Sequence, residues 1–316
     1  MRGVPDPAAE IRVTALRTLR GASYWSVRPV TYMALVPGAY DEISSADVPG
    51  VTDALRAALP ALEEHQCSVG RRGGFITRLR RGTYAPHIVE HVALELQRAI
   101  GHAVGYGRTR GGDEPGAYSV VIEHRHAGVG ARAAALAVEL VRRAFAGTLS
   151  AAHARQAIAE LAAVAALPDA PPLDRRVRCA ITGGAERGRT REALARLGLA
   201  SSSVVDVAPA RILRAGLPYA CSEVAIVLDA ELVDVPPRYR EPDRARRLVA
   251  TLACAVRRGG TVIAPAGELE IHEMARSAGC RVVPLDSAPD RAERAARMAL
   301  ASLRERGPVA GAEGDA

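Results

Sequence analysis

Apolar and polar residues alternate from Ile11 to Leu19 (IRVTALRTL), the pattern of a half-buried strand. Val30–Val36 (VTYMALV) reads as a second strand, ended by Pro37-Gly38. The spacing predicts a helix over Gly50–Glu64 with Thr52 as its N-cap, then a polar loop over His65–Gly74. Thr83 can cap a further helix that has Pro86 in its first turn and runs to about Ile100. Tyr118–Glu123 (YSVVIE) predicts a strand and Val129–Ala146 an Ala-rich helix. Strands and helices mixed in this way predict an α+β domain over residues 11–165.

The Pro-rich run Leu167–Leu173 marks residues 166–175 as a linker. From 176 to 306 the rhythm changes, with short apolar strands at 177–181, 203–207, 224–228, 261–264 and 281–285. Helical patterns intervene near 190–197, 243–257, 268–278 and 290–304. Continuous apolar strands with helical crossovers predict a parallel sheet covered on both faces, a Rossmann-like three-layer α/β domain. Residues 307–316 read as a disordered tail.

Composition narrows the chemistry. The net charge is +7, and all 42 basic residues are arginine. Without lysine, a Walker-type ATPase and a Schiff-base enzyme are disfavoured. The first ten residues carry two prolines and two acids and no apolar h-region, and no stretch approaches the roughly 18 apolar residues of a membrane span. Five scattered cysteines without a CxxC pair fit reduced thiols, so the expectation is a cytoplasmic protein with no membrane partner. Two Phe, one Trp and eight Tyr give few stacking platforms, and no nucleic-acid partner is expected.

The candidate chemistry lies on the helix after Thr83. His87-Ile-Val-Glu90-His91 is an H-x-x-E-H pattern, which puts two imidazoles one turn apart on one face. His87 and His91 would bind zinc, which lowers the pKa of its water, and Glu90 would serve as general base. Glu123 is the preferred third ligand, with His65 and Cys67 as alternatives. Glu95 lies roughly 12 Å of helical rise from His87 and is set aside. The same spacing also occurs on solvated helices, but six of the eight histidines (65, 87, 91, 102, 124, 126) fall between residues 65 and 126.

Arginines crowd the same region. Arg71, Arg72, Arg78, Arg108 and Arg110 are candidate substrate-binding residues, because guanidinium forks bind carboxylates bidentately. In the second half, Gly183-Gly-Ala-Glu-Arg-Gly188-Arg189-Thr190 follows a strand with the spacing of a P-loop. Arg189 stands where lysine belongs, so this reads as a degenerate, inactive loop and ATP is not expected.

Several runs together resemble a known family: Leu62-Glu-Glu-His65-Gln-Cys67-Ser, Arg72-Gly-Gly-Phe75, Gly82-Thr-Tyr-x-x-His87-Ile-x-Glu90-His91, and Gly105-Tyr-Gly107-Arg-Thr-Arg110. With Thr18-Leu-Arg-Gly-x-x-Tyr24-Trp25-Ser26, they are similar to the N-terminal domain of cyanophycin synthetases over roughly residues 11–150. Those enzymes join aspartate and arginine into a polymer. They combine this domain with an ATP-grasp domain, for which this sequence has no counterpart, and a Mur-ligase-like domain. The second half resembles the Mur-like domain in fragments such as Cys179-Ala-Ile-Thr-Gly183 and Val224–Asp229. The resemblance implies a pseudo-ligase that binds cyanophycin or a related Asp/Arg peptide and hydrolyses it where the metal site is active. A non-catalytic polymer-binding accessory protein, alone or as a homo-oligomer, is the alternative.

Overall fold

In the computed structural model, which describes residues 5–171, 173, 177–184 and 186–305, the alternating stretch forms β1 (Arg12–Leu19) after a one-turn helix α1 (Pro7–Glu10). Strand β2 (Val30–Val36) pairs antiparallel with it. The expected helix over 50–64 divides in two. Helix α2 (Val51–Ala58) stops at Leu59, and Pro60 opens a 3-10 turn to Glu64. The residue before a proline is pushed out of the helical region, and Leu59 sits at φ −134°, ψ 76°. The N-cap is Gly50 at φ +86°, not Thr52.

The loop expected over 65–74 contains a short 3-10 turn (Cys67–Val69) and leads into α3 (Gly74–Arg81). Helix α4 (Ala85–Ala99) follows with Tyr84 at its N-cap, one residue after Thr83. Strand β3 (Gly107–Gly111) pairs with β4 (Tyr118–Glu123). β3 is not legible in the sequence, because GRTRG has no apolar alternation. Helices α5 (Ala127–Phe145) and α6 (Ala151–Ala165) complete this part. The antiparallel sheet has the order β1-β2-β4-β3. Its core face presents Met33, Leu35, Val120 and Ile122 to the apolar sides of α4 and α5.

The second part contains β5 (Val177–Thr182), α7 (Arg187–Arg196), β6 (Val204–Asp206), α8 (Pro209–Ala215) and β7 (Ser222–Val227). It continues with α9 (Pro242–Cys254), β8 (Val256–Pro265), α10 (Leu269–Ser277), β9 (Arg281–Leu285) and α11 (Arg291–Arg304). All five strands are parallel in the order β6-β5-β7-β8-β9, a doubly wound α/β sheet. Alternate residues go to opposite faces: Ala225 and Val227 pack with α8, α9 and α10, while Val224 and Ile226 pack with α7 and α11. The sheet thus has a helical layer on each side.

The chain divides into two compact units, Met1–Leu19 with Pro29–Pro171 and Arg20–Arg28 with Pro172–Ala316. The connection between β1 and β2 therefore belongs to the second unit. There the Trp25 indole N–H donates to the Leu213 carbonyl (3.3 Å), and Tyr24 meets Tyr239 edge-on. Residues 172 and 174–176 of the expected linker, and the whole expected tail 307–316, lie outside the described residues.

Helix and sheet approach tightly in the first unit at Gly130 on α5. A Cβ there would stand 2.5 Å from Thr31 Oγ1 and 2.6 Å from His124 Cβ, and both of those residues are buried. Gly130→Ala is therefore expected to destabilise the fold by about 1–3 kcal/mol despite the better helix propensity of alanine. Urea unfolding monitored by circular dichroism checks this; an unchanged midpoint would refute it.

Candidate metal centre and its cavity

Helix α4 buries nearly all of its length, polar residues included. Glu90, His91 and Glu95 are each at most 6% exposed. Residues four apart share a face, so His87, His91 and Glu95 form one polar stripe. The stripe faces the 65–75 segment. Cys67 Sγ lies 3.4 Å from His87 Nε2, and Cys67, His87 and His91 bring one ligand atom each within 4.8 Å of one another. A tetrahedral zinc with sulfur at about 2.3 Å and nitrogen at about 2.0–2.1 Å would space two such atoms about 3.5 Å apart, so the thiol and imidazole fit the ion. Cys67 has a left-handed backbone, φ +51°, a conformation that non-glycine residues adopt only at a cost of about 1–3 kcal/mol.

The remaining imidazole atoms are engaged. His87 Nδ1 lies 2.8 Å from Thr83 Oγ1, so Thr83 orients the ring instead of capping the helix. His91 Nδ1 faces His65 Nδ1 at 2.9 Å, and His65 Nε2 lies 2.9 Å from Glu95 Oε2. Phe75 stacks on His91, with centroids 4.0 Å apart and planes 20° from parallel. Burial holds both candidate ligands neutral. Desolvation, helped by the Arg78 charge, lowers the His87 pKa to about 4. Desolvation, with His87 and His65 adding to it, lowers that of His91 to about 2.

Glu90 reaches β3. Thr109 Oγ1 donates to its Oε2 at 2.6 Å. Gly107 gives it room, since a Cβ there would lie 2.7 Å from Glu90 Cγ and Oε1. Desolvation raises the Glu90 pKa to about 7, against the opposing hydrogen bond from Thr109. A carboxyl group that exchanges its proton near neutrality is suited to general acid–base work.

Glu123, the third ligand preferred from sequence, is used elsewhere. Its Oε2 accepts from the backbone N–H groups of Gly105 (3.0 Å) and Tyr106 (2.9 Å), which anchors the turn into β3. Among the described residues, Cys67 takes its place. Three of the six clustered histidines (65, 87, 91) converge. His126 instead caps α5 through Val129 N–H (3.2 Å), and His102 and His124 lie outside the group.

The site opens into a cavity of about 900 Å³ that Glu90 also lines. Arg78, Arg98, Arg108 and Arg110 line it as well, and none of their guanidinium groups has a hydrogen-bond or ion-pair partner among the described residues. Arg98 is not among the substrate-binding candidates that the sequence suggests. Arg71 and Arg72 are exposed and do not line the cavity; Arg72 pairs with Glu64 at 2.5 Å.

The P-loop-like segment is also described, apart from Ala185. Arg187, rather than Arg189, folds back into it. Its guanidinium donates to the carbonyls of Gly183 and Gly184 (3.0 Å for the latter) and to Asp206 Oδ1 (2.9 Å). The Gly184 N–H donates to Asp229 Oδ1 at 2.7 Å. Gly188 and Arg189 do not enter the core, while Thr190 is buried and donates to the Glu186 carbonyl at 3.0 Å.

Sequence comparison finds relatives over the stretch that contains this cluster. A family profile described as the cyanophycin synthase-like N-terminal domain matches residues 32–146. Cyanophycin synthetase of Trichormus variabilis is 47% identical over 132 residues, 41% of this chain and 15% of that protein. The enzyme of Synechocystis sp. is 45% identical over 134 residues, 42% and 15% respectively. The match thus spans 15% of the length of these relatives. No helix among the described residues is long and apolar enough to cross a membrane. Residues 32–146 are the part of the chain that matches a cyanophycin synthase-like N-terminal domain, and Cys67, His87, Glu90 and His91 all lie inside it.

Proposed function

We propose that the first unit is a metal-dependent hydrolase acting on the amide bonds of cyanophycin or a related Asp/Arg peptide. The observation that carries this reading is the convergence of Cys67, His87 and His91 beside a buried glutamate in one open cavity. A zinc ion bound there supplies Lewis-acid activation of water and of the scissile carbonyl. Glu90, held by Thr109, accepts the proton of the attacking water and returns it to the leaving amine. Arg78, Arg98, Arg108 and Arg110 bind the free carboxylates of the substrate through bidentate hydrogen bonds.

The second reading is retention of the polymer without cleavage. It rests on the same four unpaired guanidinium groups and needs neither Glu90 nor a metal. For the second unit we propose a Mur-ligase-like relative that does not use nucleotide. What supports this is the Arg187 guanidinium inside the glycine loop and the Asp229 carboxylate on the Gly184 N–H, both where phosphate oxygens would need free donors.

Zinc-loaded protein is expected to hold one ion per first unit, and Cys67→Ser or His87→Ala to release it, measured by competition with a chromophoric chelator. Chain length of an Asp/Arg polymer is expected to fall on incubation with the loaded protein. Glu90→Gln is expected to retain zinc while losing about 10²–10⁴-fold in rate. Unchanged polymer length with every divalent metal would overturn hydrolysis and leave retention. ATP with magnesium is expected to leave the melting temperature unchanged; a clear rise would overturn the reading of the second unit.

A further inference from the structure

We infer that Glu95 and His65 are positioning residues that decide which ring nitrogen of His91 carries the hydrogen, and so leave its lone pair toward the metal. The inference rests on the metal-site reading above. The geometry is a buried chain: Glu95 Oε2 to His65 Nε2 at 2.9 Å, then His65 Nδ1 to His91 Nδ1 at 2.9 Å. Glu95 and His91 are one turn apart on α4, and His65 reaches both from the end of the 3-10 turn before Cys67. All three are at most 6% exposed, so water does not compete for these contacts.

Proton bookkeeping along the chain has one outcome compatible with a ligand. A carboxylate only accepts, so His65 Nε2 carries the hydrogen. Neutral His65 then has a bare Nδ1, which accepts from Nδ1–H of His91. His91 is left with a lone pair on Nε2, its remaining ring nitrogen and the one free for the cluster with Cys67 and His87. Without Glu95, His65 can reverse, donate from Nδ1, and leave His91 with its hydrogen on Nε2, where it blocks coordination. A carboxylate one histidine removed from a ligand histidine thus works like the direct carboxylate–histidine pair of zinc sites, with an extra imidazole between.

The test compares wild type with Glu95→Gln and Glu95→Leu. In metal-free wild type, long-range 1H–15N correlation of the histidine rings is expected to show His91 as the Nδ1–H tautomer and His65 as Nε2–H. The amide of the Glu95→Gln variant still offers a carbonyl oxygen to His65, so this variant is expected to keep zinc affinity within about threefold. Glu95→Leu is expected to weaken it about 10–100-fold and to move the His91 hydrogen to Nε2. Wild-type His91 protonated on Nε2 would overturn the proposal even if the leucine variant fails to fold. Equal zinc affinity in the leucine variant would also overturn it. Absence of zinc binding by wild type would overturn the metal reading, while the tautomers measured in the metal-free protein would still decide the hydrogen-bond chain.

Discussion

A polar stripe is buried along the middle of α4, and the architecture of the first unit answers to it. An unsatisfied buried donor or acceptor costs about 1–3 kcal/mol, so His87, His91 and Glu95 each need a partner from outside the helix. Thr83 and Cys67 serve His87, and His65 serves both His91 and Glu95. The 65–75 segment is held to that task by its backbone, with Phe75 N–H donating to the His65 carbonyl at 3.1 Å and Gly73 N–H to the Glu63 carbonyl at 2.7 Å. Glu90 lies off the stripe and is answered by Thr109 from β3. Two unrelated segments therefore converge on one helix because its buried polar groups demand it, and Cys67, His87 and His91 form a group that could hold a metal ion.

Arginine has two distinct uses in this lysine-free chain. In the second unit guanidinium groups close local structure: Arg187 on Asp206, Arg246 on Glu268, Arg291 on Glu186. Around the cavity of the first unit four of them have no such partner among the described residues. Four like charges lining one concavity repel each other. Such a lining gives the concavity a positive potential, and each rigid planar fork has the geometry for bidentate hydrogen bonds to a carboxylate.

The helical part of the site is legible in the sequence and the loop part is obscure. Spacing alone puts His87 and His91 on one face and Glu90 beside them, because 3.6-residue periodicity needs no tertiary information. It favours Glu123 over Cys67 for the opposite reason. Cys67 reaches the imidazoles through a 3-10 turn and a left-handed backbone, neither of which has a periodic signature. Helical rise sets Glu95 apart from His87, yet its contact with His65 depends on how a loop 30 residues away in sequence folds back. In the second unit the apolar strands are plain. The short helix α8 (Pro209–Ala215) escapes the reading because seven residues are too few for a periodic stretch.

The excursion of Arg20–Arg28 ties the two halves topologically. The chain enters the second unit before the first is finished, returns, and leaves again near residue 171. Severing the polypeptide at the Pro-rich stretch would therefore not yield two complete pieces. A fragment starting there lacks Trp25 and Tyr24, stripping the aromatic cover from Tyr239, while the other fragment carries an indole with nothing of its own to receive it. During synthesis those nine residues emerge early and wait for the later strands to be made.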